Sequence, residues 1–466
     1  MLFNSFPFLL VFLPAALAIQ GLAERFMPRA RLQTLLALSF VFYGYWDWRF
    51  VPLMAASILV NWLVTRLFAE RLSSPKLSSP KSRSLLAFGA IAANLLVLGV
   101  FKYAGFFAGI ANALGGLDLP EPRFALPLGI SFFTFHHVMY LTDLRAGLAP
   151  LYGLTRYGLY IAFFPQVLSG PLVRWSEVMH QFETRAFRAG WQERFGRGLV
   201  LIVLGLAKKS VFGDGLASYA NPIFQLAAAH APLTMMQAWE GVLAFTFQIY
   251  FDFSGYTDMA LGTALLFGIV LPQNFNVPYR AVSLSDFWRR WHMTLSRFLR
   301  DYLYIPLGGN RHGLARQLLA LILTMGLGGL WHGAGLPFIA WGFAHGAGLC
   351  AGVLWRRAGL PMPAALGFAL TFLFVTLTWV LFRAPTFEVA GEFYASMAGA
   401  APLGAALKWR LLLPAALFAM LGPTAYDVAA KLRPSRLLAM LLALALVLLL
   451  LKLGDEQNYE FIYFQF

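Results

Sequence analysis

Apolar runs close to the thickness of a lipid bilayer recur from one end of this chain to the other. Clear examples are residues 8–22, 85–101, 364–382 and 437–451. A helix of about 20 apolar residues crosses a bilayer, and by this length rule we expect roughly ten to twelve spanning or re-entrant segments. No hydrophilic stretch is long enough for a separate soluble domain. The sequence therefore predicts an all-α, polytopic integral membrane protein with a single domain over residues 1–466.

The composition agrees with lipid as the main solvent. Of the 466 residues, 59% are hydrophobic and 12% are charged, whereas soluble domains carry about 25% charged residues. The net charge of +15 could suggest a nucleic-acid partner, but the basic residues lie in short loops, where they orient helices and meet anionic lipid. We therefore expect contact with membrane lipid and no nucleic-acid partner. The single cysteine, Cys350, excludes an internal disulfide and a multi-cysteine metal site.

The distribution of basic residues predicts the orientation in the membrane. The loops at residues 23–31 and 71–84 are both basic, and the apolar stretch between them can form two short helices. Both loops are therefore expected on the cytoplasmic side, with the N-terminus outside. Basic residues at 431–436 precede the last apolar run, so the C-terminus is also expected to face outward. The first apolar run lacks a basic leader and a small-residue cleavage site, which indicates a retained helix.

Residues 283–304, SLSDFWRRWHMTLSRFLRDYLY, separate into a basic and an aromatic face when they are wound as one helix at about 100° per residue. Ser283 or Ser285 can cap the start of this helix, with Asp286 near its positive end. We expect the helix to lie in the cytoplasmic membrane interface. Two uses of its arginines stay open, a membrane anchor and a site for the phosphates of an anionic ligand. The arginines concerned are Arg289, Arg290, Arg297 and Arg300.

Residues 325–348, MGLGGLWHGAGLPFIAWGFAHGAG, place Trp331 and His332 where glycine and proline should break a helix. Irregular backbone at membrane depth must be buried in protein or line a cavity, so we expect His332 beside a cavity. Its reference pKa of about 6.5 suits a general base, and helix packing among the glycines is the alternative. His292 and His345 are open between a direct role and a hydrogen-bonded structural role.

Two carboxylates and two further histidines also lie in apolar surroundings. Asp252 and Asp258 belong to the segment FDFSGYTD, and buried carboxylates of this kind face the protein interior. They can orient a histidine or an arginine, bind a proton, or bond neighbouring helices. His136 and His137 are adjacent on a helix and point about 100° apart, which makes them a poor metal pair. We therefore expect no metal site.

Four motifs together resemble a known family, the membrane-bound O-acyltransferases, in the bacterial branch that acylates alginate, peptidoglycan and teichoic acid. The motifs are FFPQVLSGPLVRW from Phe163, YFDFSGYTDMALG from Tyr250, DFWRRWHMTLSRFLRDYLYIPLGGNR from Asp286, and WHGAG from Trp331. The resemblance spans nearly the whole chain. It implies a helical disc in which two opposed funnels meet at a thin central partition, with re-entrant and interfacial helices.

The resemblance also implies a function for particular residues. His332 matches the family's active histidine and His292 its second, nearby histidine. We expect Asp252, Asp258 and Trp331 to support these two histidines. The four arginines of residues 283–304 are then expected to bind the acyl donor. The implied donor is cytoplasmic acetyl-CoA, with no bound cofactor.

The implied location is the bacterial inner membrane, and the implied reaction is acetyl transfer towards an envelope or secreted polysaccharide. A separate extracytoplasmic acyltransferase partner is expected to complete the transfer. The polymer stays open among alginate-type exopolysaccharides, peptidoglycan, cellulose and others. A lipid-linked saccharide transporter or flippase is the alternative, since it too needs a polar path through an apolar protein.

Residues 460–466, EFIYFQF, form an aromatic tail that is too short to span a bilayer. The spacing of Phe461, Tyr463 and Phe466 resembles an aromatic tail motif of this branch, whose tyrosine receives the acyl group. A phenol has a pKa of about 10 and needs a base to attack at neutral pH. The resulting hypothesis is that Tyr463 gives its proton to His332 and accepts acetyl. A tail that only packs against the last helix is the alternative.

Overall fold

The computed structural model describes residues 1–73, 80–122, 124–168, 170–433 and 435–455, except for the side chains of residues 70–73, 80–83 and 455. The tail at residues 460–466, with Tyr463, lies outside this part of the chain. Regular structure in the described residues is entirely helical. This confirms the predicted all-α class and agrees with the need of a lipid-embedded backbone to satisfy its hydrogen bonds within each helix.

Twenty α-helices follow one another along the described chain. They are α1 (Leu13–Phe26), α2 (Arg31–Gly44), α3 (Val51–Ser73), α4 (Pro80–Gly115), α5 (Ile130–Arg145), α6 (Leu154–Ala162), α7 (Phe164–Val167), α8 (Trp175–Val178), α9 (Trp191–Ala207), α10 (Asp214–Ala228), α11 (Met235–Leu266), α12 (Leu284–Arg290), α13 (Met293–Leu299), α14 (Leu314–His332), α15 (Leu336–Arg357), α16 (Ala364–Arg383), α17 (Phe387–Ala395), α18 (Trp409–Leu421), α19 (Ala425–Lys431) and α20 (Arg436–Asp455). Segments of π-helix occupy Pro7–Phe12, Lys208–Gly213, Arg300–Tyr304 and Ser396–Ala400.

Seven helices in the described residues are long and apolar enough to cross a membrane. They cover Pro7–Phe26, Trp48–Ala69, Ser84–Gly115, Leu314–His332, Leu336–Arg357, Ala364–Arg383 and Arg436–Gly454. An eighth span results if α18 and α19, which are bent by 61° at their junction, cross together. The chain is therefore a multi-pass membrane protein. The sequence-based count of ten to twelve is higher because other apolar runs form shorter helices, such as the 14-residue α2.

The chain forms two compact units. The first comprises residues 1–202, 259–272 and 434–436, and the second comprises residues 203–258, 273–433 and the described part of 437–466. The prediction of one domain over residues 1–466 stays a prediction.

The first unit holds the adjacent histidines of α5, and both are buried. His137 bonds the hydroxyls of Ser57 and Tyr157 at 2.8 and 2.7 Å. The backbone N–H of Val173 donates to Nε2 of His136 at 3.3 Å. These contacts tie α5 to α3, to α6 and to the segment before α8, so both histidines serve the packing of this unit.

Candidate active site

His332 is the last residue of α14, and the predicted helix break follows it. Gly333 is extended, with φ −160° and ψ 151°, and α15 begins at Leu336 after two more residues outside helix. Glycines then let the two helices pack closely. A Cβ at Gly329 would lie 2.2 Å from the backbone oxygen of Phe338, and a Cβ at Gly342 would lie 2.3 Å from that of Met325. Only glycine fits this backbone-to-backbone contact, which brings His332 against α15.

Aromatic rings surround the His332 side chain, which is 6% exposed. The centroid of its imidazole lies 4.8 Å from Trp331, 5.2 Å from Trp341 on α15 and 5.2 Å from Phe382 on α16. Such rings exclude bulk water, and charges that develop beside them are screened weakly. The surroundings therefore shield a reaction at this imidazole from bulk water.

His292 also lies at a helix break, and here the prediction of one continuous helix over residues 283–304 is wrong. The helix α12 starts with the side chain of Ser283 accepting from the backbone N–H of Asp286, as expected of a cap, but it ends at Arg290. Trp291 is then extended, with φ −96° and ψ 129°, and His292 takes the left-handed conformation, with φ 41° and ψ 54°. A new helix, α13, begins at the next residue.

A segment from elsewhere in the second unit causes this break. The backbone N–H of Asn276 donates to the oxygen of Arg290, and the N–H of Met293 donates to the oxygen of Asn274, both at 2.9 Å. The amide oxygen of Asn274 also accepts from the N–H and the hydroxyl of Thr294, at 3.2 and 2.9 Å. Backbone groups that a continuous helix would pair internally thus find partners on residues 274–276.

These bonds decide the tautomer of His292. The backbone N–H of Thr294 can only donate, so the atom of Asn274 that faces it is the acceptor oxygen. That oxygen lies 3.1 Å from Nδ1 of His292, which must therefore carry the hydrogen. Burial lowers the pKa of His292 to about 3, so the ring is neutral at pH 7 and Nε2 holds its lone pair.

Trp331 brings the two predicted catalytic histidines together. Its ring centroid lies 4.8 Å from that of His332 and 6.3 Å from that of His292. Phe253 packs edge-on against His292 at 4.8 Å. Both imidazoles therefore belong to one aromatic cluster, as the sequence-based pairing of these residues requires.

A cavity of about 520 Å³ opens beside α12, α13, α14 and α15. Arginine side chains line part of it, from Arg289, Arg297, Arg300 and Arg356. The remaining walls are largely apolar and include Trp288, Met293, Leu299, Leu321 and Met325. On α14 the lining runs from Gln317 to Met325, about 12 Å along a helix axis. His332 lies about 10 Å farther along the same helix.

The cavity includes three of the four predicted arginines. Arg290 does not line it and pairs instead with Asp286, with Nε 3.0 Å from the carboxylate. Sequence reasoning missed Arg356, because a basic residue in the last turn of a spanning helix is also an ordinary orientation signal. A neighbouring cavity of about 310 Å³ shares Arg356 with the first and adds Asn310 and Arg357. The basic lining therefore extends beyond the predicted face.

The predicted carboxylates bind lysines. Nζ of Lys209 lies 2.6 Å from carboxylate oxygens of both Asp214 and Asp252, and all three residues are buried. Nζ of Lys208 lies 2.6 Å from the carboxylate of Asp258. The two carboxylates of α11 thus bond the π-helical segment Lys208–Gly213, one of the roles left open by the sequence. The sequence contained a signal for these ion pairs, namely two adjacent lysines in an otherwise apolar run. Charged side chains within a membrane protein usually pair with one another.

One group of metal-ligand side chains stands out among the described residues, formed by His230, Glu388 and Glu392, whose ligand atoms lie within 4.8 Å of one another. All three side chains are exposed. Nδ1 of His230 lies 3.0 Å from a carboxylate oxygen of Glu392, and this partner raises the pKa of His230 above its ordinary value of 6.5. A surface ion pair therefore accounts for the cluster.

Comparison with known proteins identifies the family of this chain. The model of the membrane-bound O-acyltransferase family matches residues 125–387. A peptidoglycan O-acetyltransferase of Helicobacter pylori is 38% identical over 435 residues, which cover 86% of this chain and 80% of that protein. A probable alginate O-acetylase of Azotobacter vinelandii is 38% identical over 403 residues, covering 85% and 78%.

A more distant relative is a teichoic acid D-alanyltransferase of Bacillus subtilis. It is 29% identical over 276 residues, which cover 55% of this chain and 65% of that protein. The matched family segment contains both helix breaks, the aromatic cluster around His332 and the arginine-lined cavity. The chain therefore belongs to the membrane-bound O-acyltransferase family and is a multi-pass membrane enzyme that transfers acyl groups to oxygen.

Proposed function

We propose that this enzyme takes acetyl from cytoplasmic acetyl-CoA and moves it across the inner membrane for O-acetylation of an envelope or secreted polysaccharide. The observation that carries the proposal is the arginine-lined cavity, whose lining runs along α14 in the direction of His332. Its basic lining suits the polar end of the donor, and its apolar walls on α14 lead towards the two histidines.

The chemistry of acetyl-CoA fits this cavity. Guanidinium groups bind phosphate oxygens through paired, charge-assisted hydrogen bonds, and Arg289, Arg297, Arg300 and Arg356 supply four such groups. The thioester end of the donor is uncharged and suits the apolar walls near Leu321 and Met325. Basic residues concentrate on the cytoplasmic side of membrane proteins, which favours a cytoplasmic mouth for the cavity and both chain termini outside.

Two relatives with 38% identity carry names that specify O-acetylation of peptidoglycan and of alginate. They favour acetyl over D-alanyl as the transferred group, because relatives named for D-alanyl transfer are 29% identical. They also favour a polysaccharide as the final acceptor.

The proposed chemistry uses His332 as general base. Its imidazole takes the proton of an acceptor hydroxyl, and the oxygen attacks the thioester carbonyl. The bond from carbon to sulfur then breaks, and the CoA thiolate recovers the proton from the imidazolium. His292 holds its lone pair at Nε2 beside Trp331 and supports the orientation of the reactants.

In this scheme Tyr463 is the acceptor hydroxyl. It lies on the same chain as the base, so its approach is intramolecular and needs no second encounter. The O-acetyl tyrosine then passes its acetyl group to an extracytoplasmic acyltransferase partner, which delivers it to the polysaccharide.

The first experiment incubates the purified protein in lipid nanodiscs with acetyl-CoA that is radiolabelled on the acetyl group. We expect labelled protein and free CoA to appear together. Tyr463→Phe should abolish the label, because this change removes the hydroxyl and keeps the aromatic ring. Mass spectrometry of the C-terminal peptide should locate the acetyl group on Tyr463. Movement of a lipid-linked saccharide without release of CoA would instead favour the flippase alternative.

The second experiment tests the cavity. Replacement of Arg297 and Arg300 together by alanine should raise the KM for acetyl-CoA about tenfold, with a larger effect at low salt, where charges are screened less. Arg49→Gln serves as the control, because Arg49 is exposed and pairs with Asp47 in the first unit. An unchanged KM in the double variant, with normal insertion into the membrane, would contradict donor binding by this face and favour the plain anchor.

A further inference from the structure

His345 lies in α15 and is completely buried. Both of its ring nitrogens have partners. Nε1 of Trp288 lies 3.2 Å from Nδ1, and the hydroxyl of Thr378 lies 3.0 Å from Nε2. The same hydroxyl donates to the backbone oxygen of Val375 at 3.0 Å. A single chain of hydrogen bonds therefore runs from α12 through α15 to α16.

The direction of every bond in this chain follows from its chemistry. An indole N–H can only donate, so Nδ1 of His345 is the acceptor and carries no hydrogen. The neutral ring then has its hydrogen on Nε2 and donates it to Thr378. Thr378 is free to accept that hydrogen because its own goes to Val375. Only one tautomer of His345 satisfies all three bonds.

The indole of Trp288, which donates to His345, lies in the wall of the proposed acetyl-CoA cavity. Trp288 lines that cavity, and its ring centroid lies 5.9 Å from Trp341. Trp341 lies 4.7 Å from His345 and 5.2 Å from His332. One buried imidazole thus contacts both the cavity wall and the ring that packs against the candidate base.

We propose that His345 is a positioning residue for the donor. By accepting the indole N–H of Trp288, it fixes the orientation of that ring in the cavity wall, so that the donor reaches the level of His332. The inference rests on the proposed function, since the cavity's role as the donor site comes from there. A wall residue that turns by one rotamer changes the depth to which a donor can enter, and small misplacements are costly for transfer.

Two amide variants separate this role from general packing. In His345→Asn the amide oxygen occupies the place of Nδ1 and can still accept from Trp288, whereas the contact with Thr378 is lost. In His345→Gln the amide reaches the place of Nε2, so the contact with Thr378 is kept and the bond from Trp288 is lost. We expect His345→Asn to keep the wild-type KM for acetyl-CoA within about twofold. His345→Gln should raise that KM about fivefold or more, because a buried N–H is left without its acceptor.

Trp288→Phe tests the same inference independently. It keeps an aromatic ring and removes only the indole N–H that bonds His345. It should raise the KM as His345→Gln does. In the Trp288→Phe background, the asparagine and glutamine variants at residue 345 should no longer differ, because the bond that separates them is gone. Thermal unfolding of each variant, measured alongside, reports whether the protein is folded.

The outcomes distinguish this inference from the proposed function. If the wild-type protein shows no saturable dependence on acetyl-CoA, the proposed function fails. If the wild type saturates with acetyl-CoA but the two amide variants have equal KM values, or Trp288→Phe leaves the KM unchanged, the positioning role of His345 is overturned and the proposed function stands.

Discussion

The breaks at His332 and at His292 differ in origin, although both place a candidate catalytic histidine at the edge of regular helix. After His332 the chain reads GAGLP, so the interruption follows from the local residues themselves. Around His292 the chain reads WRRWHMT and contains neither glycine nor proline. Here Asn274 and Asn276 supply the partners that the broken helix needs.

The comparison shows two ways to position a candidate catalytic imidazole. The position of His332 depends on the close packing of two helices over glycine, whereas the conformation of His292 depends on backbone and side-chain hydrogen bonds to residues 274–276. Substitution of the glycines at the first break should disturb the packing of α14 against α15. Substitution of Asn274 at the second break should release the His292 side chain from its fixed orientation, while the rest of the second unit stays folded.

The largest effect is expected for His332→Ala. General-base catalysis contributes about 10²- to 10⁴-fold, so acetyl release from acetyl-CoA should fall at least about 100-fold. Expression in the membrane and the thermal midpoint should stay near the wild type, since alanine fits a helix end. Release of CoA is measured with a thiol reagent. His180→Ala is the control, because His180 is exposed in the first unit. Full activity of the His332 variant would show that His332 is not the general base.

Asn274→Leu should give the next largest effect. The change keeps the size of the side chain but removes the oxygen that accepts from Thr294 and His292. Buried donors without acceptors cost about 1–3 kcal/mol each, so the thermal midpoint should fall and transfer should slow about tenfold. Asn274→Asp restores an acceptor oxygen and should recover activity. Equal transfer rates in the two variants would show that this oxygen does not control His292.

The glycine contact beneath His332 gives a smaller effect, chiefly on stability. A methyl group at Gly329 meets the backbone oxygen of Phe338, so Gly329→Ala forces α14 and α15 apart at a cost of about 1–3 kcal/mol. Gly391→Ala is the matched control, because a Cβ there meets no atom within 4 Å and alanine favours the helix. Thermal unfolding compares the two. A Gly329 variant as stable as the Gly391 variant would mean that this close contact is not needed.

The smallest effect concerns His230, a second histidine in the left-handed region, with φ 53°. Unlike His292 it is exposed, and Glu392 first and Glu388 further raise its pKa above 6.5. A raised pKa in the folded protein stabilises the protonated form, so this contribution is fully present below about pH 6.5 and is lost as pH rises through the raised pKa. His230→Asn keeps a residue that tolerates this backbone. Its thermal midpoint should fall slightly below wild type at acidic pH and match it at alkaline pH; a constant difference would exclude the ion pair.

Several features could be predicted because the physical cause lies within a few residues. Hydropathy over about 20 residues marks a spanning helix, and glycine with proline marks the break after His332. The basic face of residues 283–304 could also be predicted, and three of its four arginines line the cavity. The single long helix was a wrong prediction because periodicity treats a segment alone and ignores an inserted partner.

The sequence by itself determined the all-helical membrane class, the family, the break at His332 and the basic side of the cavity. The tertiary structure decided the rest, through contacts between residues far apart in the chain. His292 meets Asn274 across 18 positions, Lys208 meets Asp258 across 50, and Trp288 meets His345 across 57. Hydropathy and backbone propensity act locally, whereas these bonds form only after packing has brought distant helices together. No local sequence pattern therefore predicts them.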